Sequence, residues 1–325
     1  MVYLQALNLQ IASMSKDTIT RTMPPAADLQ ALLQRPAEAL DFVLPGFKAG
    51  TVGGVISPGG VGKSYWALSL AVSLASSADL TGLAPKKGRI VVLSAEDGED
   101  VFASRLHAVE RYLPKGGTLN DFDFRDCVGL NIDLMEAGWF DAVLSIVKGA
   151  RLVVLDTLSR FHSLDENATP DMKRLLAQLE RLATVSGAAV MYLHHTSKSA
   201  AISGMGALQQ AARGSSVLVD NARWVSFLAA MTEHEARKFG LPEGAHVHYV
   251  RWNISKQNYG APLEDQWFKR VEDGVLLPCT FDNGVAEPQT IVRPQPMPVQ
   301  TTETRGPADT VPGLPSAKGA FDGKW

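Results

Sequence analysis

Cysteine is scarce in this chain: Cys127 and Cys279 are its two copies in 325 residues. They are far apart and form no Cys-x-x-Cys pair, which excludes a disulfide framework and a cysteine zinc site. Long apolar runs are missing as well. None approaches the roughly 20 residues that a membrane helix requires, so no membrane span is expected. Excess positive charge is also absent. Lys and Arg total 31 against 34 Asp and Glu, for a formal net charge of -3, which excludes a protein that coats nucleic acid through bulk charge and confines any DNA contact to local loops. The mildly apolar stretch from Met1 to Met14 has no basic start and is interrupted by Gln5, Asn8 and Gln10. That is unlike a secretory signal, and a cytoplasmic location is expected. No internal repeat is present.

What remains is an ordinary globular composition, 46% hydrophobic and 20% charged, long enough for one large domain with a full core. Residues 1–25 are expected to form a flexible arm, 26–282 the domain, and 283–325 a disordered tail. That tail is rich in proline (Pro288, Pro294, Pro296, Pro298, Pro307, Pro312, Pro315). A short helix is expected over Pro25–Gln34, ended by Pro36. Apolar periodicity then places strands at Thr51–Ile56, Arg89–Leu93, Leu152–Leu155 and Ala188–Leu193. They alternate with helices at Ser64–Ser77, Val101–Tyr112, Trp139–Lys148 and Thr169–Ser186. Such alternation implies an α/β fold with a mostly parallel central sheet flanked by helices. After Arg213 the pattern changes to strands at Trp224–Leu228, His246–Ile254 and Gln266–Val271, with a helix at Thr232–Phe239. These are expected as antiparallel C-terminal additions.

Between the first strand and the first long helix runs Ser57-Pro58-Gly59-Gly60-Val61-Gly62-Lys63-Ser64. This is a phosphate-binding loop of Walker A type in its required strand-loop-helix context. Gly59, Gly60, Val61 and Gly62 supply backbone N–H groups for the β-phosphate of ATP, Lys63 reaches the β and γ oxygens, and Ser64 is expected to ligate magnesium. Ser57 stands where the common pattern has glycine, and is acceptable there if its φ is negative.

Leu152-Val153-Val154-Leu155-Asp156 is an apolar strand ending in a carboxylate, the arrangement that holds hydrated magnesium at the sheet edge. The strand between it and the loop ends at Ser94-Ala95-Glu96-Asp97. This puts Glu96 at the same edge as candidate base for the attacking water, with Asp97 beside it. A third strand ends in His194-His195. Strand alternation lets one of these two face the γ-phosphate and sends the other away.

Taken together, the phosphate loop with its leading serine, Ala95-Glu96-Asp97, Leu155-Asp156-Thr157-Leu158, Arg160-Phe161-His162, His194-His195, the run Arg213 to Asn221, Arg223-Trp224, Ser255-Lys256 and Asn258 to Pro262 resemble the hexameric replicative helicase RepA family of broad-host-range plasmids. The resemblance covers about Leu40 to Pro278. It implies a RecA-like P-loop ATPase that forms a homohexamer, uses ATP and magnesium, and translocates on single-stranded DNA during replication of a plasmid or other mobile element, with initiator and primase proteins as partners. By position it makes Glu96 the catalytic glutamate, Asp156 the metal acid, His195 the γ-phosphate sensor and Arg223 an arginine finger offered to the neighbouring subunit, with Lys256 reaching across the same interface. DNA contact is expected from Lys198, the charged residue of the small-residue stretch Thr196–Ala212, and then from Arg213.

Two other readings share this core. One is a filament-forming recombinase, which normally carries an added oligomerisation segment. The other is a nucleotide-gated protein that binds DNA or a partner without unwinding, for which a water-activating base such as Glu96 has no use.

Overall fold

The computed structural model describes residues 23, 25–76, 78–114, 118–196, 216–260, 262–282 and 285–288. The chain divides into two compact units, Met1–Asp41 and Phe42–Trp325. The boundary expected between residues 25 and 26 therefore falls inside the first unit. In that unit, helix α1 (Leu29–Gln34) starts at Asp28, whose carboxylate accepts from the N–H groups of Gln30 at 3.0 Å and Ala31 at 3.1 Å. It ends at Arg35, before Pro36.

The second unit is built on a ten-stranded sheet. A small antiparallel pair, β1 (Phe42–Leu44) and β2 (Phe47–Lys48), precedes it. Then follow β3 (Val52–Ser57), helix α2 (Lys63–Ser76), β4 (Ile90–Ser94), α3 (Glu99–Glu110), β5 (Phe122–Asp126), α4 (Ala137–Val147), β6 (Leu152–Asp156), α5 (Thr169–Ser186) and β7 (Ala189–His195). The chain finishes with α6 (Ser216–Asn221), β8 (Trp224–Ala230), α7 (Glu233–Lys238), β9 (Tyr249–Gln257), β10 (Gln266–Arg270), β11 (Leu276–Asp282) and β12 (Val285–Pro288). The strand order is β12-β11-β10-β9-β8-β3-β7-β6-β4-β5. Strands β8, β3, β7, β6, β4 and β5 run parallel, and β9 to β12 add antiparallel strands beyond β8. This is the expected fold class. The ladder also reaches further than expected: Val285–Pro288, inside the segment expected to be a disordered tail, pairs with β11. The remainder of that segment lies outside the described residues, as does most of the expected N-terminal arm.

Two apolar clusters sandwich the parallel strands. One contains Val153, Leu155, Val190 and Tyr192 with Phe140 of α4 and Leu175 and Leu179 of α5. The other contains Leu152, Val154, Met191 and Leu193 with Trp66, Leu70 and Leu74 of α2. Alternation along β6 and β7 thus sends successive side chains to opposite helical layers. Each buried Leu in this sandwich is the kind whose truncation to Ala costs about 2–5 kcal/mol. The central strand β3 carries Gly54 because a β-carbon there would stand 2.5 Å from the ring of Tyr192. The Tyr192 hydroxyl in turn donates to the carbonyl of Leu218 at 2.7 Å. Helix α5 has proline in its first turn and stops at Gly187, which takes the left-handed conformation with φ of 76°.

Candidate active site

The C-terminal ends of β3, β4, β6 and β7 lie side by side, and the polar residues at the ends of these apolar strands gather there. The phosphate loop leaves β3 at Ser57, which is fully buried, and its hydroxyl donates to the Pro58 carbonyl at 3.0 Å. Ser57 is not among the positive-φ residues, so the unusual serine sits in a conformation that any residue adopts. Positive φ falls instead on Gly60 at 78° and Gly62 at 108°, where glycine carries no steric penalty. Nothing lies within 4 Å of where a β-carbon would sit on Gly59 or Gly60. Helix α2 starts directly behind the loop, with the N–H of Trp66 bonded to the Gly62 carbonyl at 2.9 Å, so its N-terminal dipole faces the space the loop encloses.

Lys63 is 4% exposed. Burial pushes its pKa down to about 8, against the opposing pull of Asp156 and Glu96. Its ammonium group lies 3.2 Å from Nδ1 and 3.3 Å from Nε2 of His195, and Nε2 of the same ring is 3.5 Å from Oε2 of Glu96. Alternation on β7 explains the choice of histidine. Met191, Leu193 and His195 share the α2 side, whereas Val190, Tyr192 and His194 turn to the α5 side. His194 is buried there, and burial holds its pKa below the usual histidine value.

On β6, Leu152, Val154 and Asp156 face α2. Asp156 is 7% exposed and hydrogen-bonded to the Ser64 side chain, and burial raises its pKa despite that bond and the nearby Lys63. Its Oδ1 is buried without a hydrogen-bond partner. Beside it opens a cavity of about 30 Å³ lined by Ser64, Ser94, Asp97 and Asp156 among others. An unpartnered carboxylate oxygen, a hydroxyl and room for water make a donor set that fits magnesium, a cation that binds through few protein oxygens and keeps several waters. No preformed cluster of three or more His, Cys, Asp or Glu suited to a metal exists among the described residues. Asp97, the neighbour of Glu96, is engaged elsewhere: its carboxylate accepts from Arg105 at 2.6 Å. Glu96 keeps a side-chain exposure of 42% at the mouth of the site.

Arg223 and Lys256 occupy the opposite edge of the sheet. The backbone N–H of Arg223 bonds to the carbonyl of Val52, the first residue of β3, whereas the phosphate loop follows the last. Strand rise puts about 17 Å between those two ends. A polar cavity of about 330 Å³ opens beside Arg223 and Lys256, bordered also by Lys173, Glu180, Asp220 and Asn258. Lys256 donates to the Asp220 carbonyl, and its pKa is lowered first by burial, with the nearby Arg223 adding to the effect. Neither cation joins the chain's own phosphate loop. Lys198 and Arg213 lie outside the described residues.

Two further residues contribute contacts that the sequence reading assigned to neither of them. Thr157 donates its hydroxyl to the Leu193 carbonyl at 2.6 Å and ties β6 to β7 beside the site. Arg270 of β10 donates to the Val61 carbonyl at 2.7 Å, inside the phosphate loop. A ladder read only as flanking strands gives no hint that one of its arginines touches the loop.

A family model described as an AAA domain matches residues 19–201, more than half of the chain. The match ends before Arg213, Arg223 and Lys256. Among solved structures, a DnaB-like replicative helicase, described together with its interactions with primase, aligns with a TM-score of 0.53 and 14% identity, over 84% of this chain and 71% of that one. A RadB recombinase aligns with a TM-score of 0.45 and 14% identity, over 70% of this chain and 90% of the other. The helicase likeness is one of fold: the RecA-like arrangement of a mostly parallel sheet between helices.

Proposed function

This chain belongs to the AAA-domain family, and from that premise we propose that it is a magnesium-dependent ATPase that works as a ring-forming DNA helicase in the replication of a plasmid or other mobile element. The observation that carries the reading is the meeting of Lys63, Glu96 and His195 in one chain of contacts, at 3.2 Å and 3.5 Å, beside Asp156 and Ser64. Lys63 and the loop N–H groups hold the phosphates of ATP in place. Glu96 accepts the proton of the attacking water, and its exposed carboxylate is free of an arginine partner among the described contacts. His195, bridging Glu96 and Lys63, would contact the γ-phosphate as its sensor when Lys63 turns to the nucleotide. Magnesium, held by Asp156 and Ser64, would supply charge neutralisation at the phosphates.

The ring is supported by Arg223 and Lys256, cations at the edge away from their own loop, where a neighbour's ATP would need them. Lys198 and Arg213, both outside the described residues, are the proposed contacts with single-stranded DNA. A primase is the proposed partner, in line with the helicase of similar fold, and an initiator protein of the same replicon is a second.

The test is ATPase rate with and without single-stranded DNA, followed by strand displacement on forked and tailed duplexes and the mass of the assembly. DNA-stimulated hydrolysis by a hexamer with strand displacement is expected. Hydrolysis without displacement on any substrate sinks the helicase reading and leaves the ATPase. Lys198→Ala should weaken DNA stimulation and spare basal hydrolysis, and equal stimulation would move the contact to Arg213.

A further inference from the structure

The phosphate loop is gripped from the antiparallel half of the sheet. Arg270, half-buried at the end of β10, donates from Nη2 to the Val61 carbonyl at 2.7 Å. A trans peptide unit is planar, with its C=O and the following N–H directed to opposite sides. The Val61–Gly62 peptide is trans, so an oxygen held toward Arg270 leaves the Gly62 N–H aimed the other way. Gly62 is glycine first because of its φ of 108°. A β-carbon there would stand 3.0 Å from Leu276 Cδ1 and 3.5 Å from both terminal nitrogens of Arg270. Arg270 and Leu276 are directly opposite each other in the β10–β11 ladder, so one cross-strand pair covers this backbone.

The turn joining the two strands is itself anchored. The Tyr65 hydroxyl, one residue past Ser64, donates to the Asp273 carbonyl at 2.5 Å. Arg111, just beyond α3, pairs with Asp273 and reaches Glu272 at 4.0 Å. The hairpin therefore touches the loop, the first turn of α2 and the end of α3.

We propose that the β10–β11 hairpin is the clasp of the phosphate loop and that Arg270 is its positioning residue, presetting the Val61–Gly62 peptide so that the Gly62 N–H awaits a phosphate before nucleotide arrives. The inference rests on the ATP-site reading above and adds the part of the molecule that shapes the loop. Presetting lowers the ordering cost of binding. Arg270 acts through the loop, and its loss should therefore weaken nucleotide binding without altering the chemical step.

The experiment compares wild type, Arg270→Ala, Arg270→Lys and Lys63→Ala by calorimetric Kd for ATP and ADP, kcat, KM and Tm. Arg270→Ala should raise Kd for both nucleotides and KM for ATP together by roughly 10- to 100-fold, the scale of one lost hydrogen bond to a charged donor, with kcat within a few-fold. Arg270→Lys retains a donor and should recover part of that loss even if the alanine variant proves unstable. Wild-type affinity in a folded Arg270→Ala overturns the clasp, and so does a fall in kcat at unchanged Kd. An Arg270→Lys variant as weak as alanine, at wild-type Tm, also overturns it. If Lys63→Ala binds ATP as wild type does, the ATP-site reading itself has failed, a result separate from any of these.

Discussion

The ammonium group of Lys63 stands 3.2 Å from Nδ1 of His195, a contact that ties a buried cation of the phosphate loop to the end of β7. Burial pushes the Lys63 pKa from 10.5 down to about 8, so the free protein already sheds this proton in mildly alkaline solution. Polyphosphate favours the charged form and should draw the proton back. ATP binding is therefore expected to take up a proton above pH about 8 and to weaken as pH rises through that value. Calorimetry at pH 8.5 in buffers of different ionisation enthalpy checks it, and equal heats in all buffers would remove Lys63 from the phosphates. In the free protein the sign is fixed by linkage. Between about 8 and 10.5 the unfolded chain holds a proton that the folded chain has released, so stability rises with pH across that window.

Glu96 and Asp97 are adjacent carboxylates with different engagements. Asp97 is committed to Arg105 at 2.6 Å, whereas Glu96 meets His195 at 3.5 Å. Loss of a general base typically costs about 10² to 10⁴ in rate. Glu96→Gln should show that loss with ATP affinity retained, and Asp97→Asn should stay within about ten-fold of wild type. Single-turnover hydrolysis with a parallel binding measurement separates the two. A near-normal rate in Glu96→Gln, with loss in Asp97→Asn, would exchange their roles.

His194 and His162 are buried, and burial holds both below the ordinary histidine pKa. Below pH about 6.5, the unperturbed value, the unfolded chain binds protons that the folded chain resists, so these residues should make stability fall as pH falls. His162 Nδ1 accepts from the Leu164 N–H at 3.2 Å, which leaves the proton of the neutral ring on Nε2, 3.7 Å from Glu166. Urea midpoints at pH 7.5 and 5.5 should differ less in His162→Asn than in wild type. An unchanged difference in that variant would mean that other groups carry the acid sensitivity.

The parallel half of the fold was readable because burial on both faces writes itself as unbroken apolar runs: Leu152–Leu155 was expected and Leu152–Asp156 is observed, and Thr169–Ser186 matches residue for residue. Strand β5 went unread. Phe122–Asp126 is an edge strand, half-buried to exposed, and its alternating Phe and charged residues are too short a signal. Strand β11 was hidden by Pro278, a residue that argues against a strand interior yet stands there opposite Phe268. The strand expected from His246 starts at Tyr249, because Ala245–His248 winds into a short 3₁₀ turn after Gly244. Within the site, Lys63, Asp156 and His195 were legible because each ends or follows an apolar strand on a fixed alternation. Arg270 was not, since its contact with Val61 spans two elements far apart in sequence and leaves no local pattern.

Arg223 lies at the start of β8 with its backbone bonded to Val52, at the end of the sheet away from the phosphate loop of its own chain. On the proposed reading it serves a neighbour's ATP, and Lys256 at the same cavity serves there too. Each active interface then needs a loop from one subunit and a finger from the next. Lys63→Ala fails through its own loop and Arg223→Ala through its neighbour's, so each variant alone should be nearly inactive in ATP hydrolysis while still assembling. In a random equal mixture of head-to-tail subunits, about a quarter of interfaces would join an intact loop to an intact finger. ATPase activity should therefore return on mixing, toward about a quarter of wild type, once subunit exchange has been verified by mass measurement of the mixed assemblies. Strand displacement should recover less, because unwinding draws on several working sites in one ring. If exchange is complete and no ATPase activity returns, Arg223 acts within its own subunit or in folding alone, and the shared site is wrong.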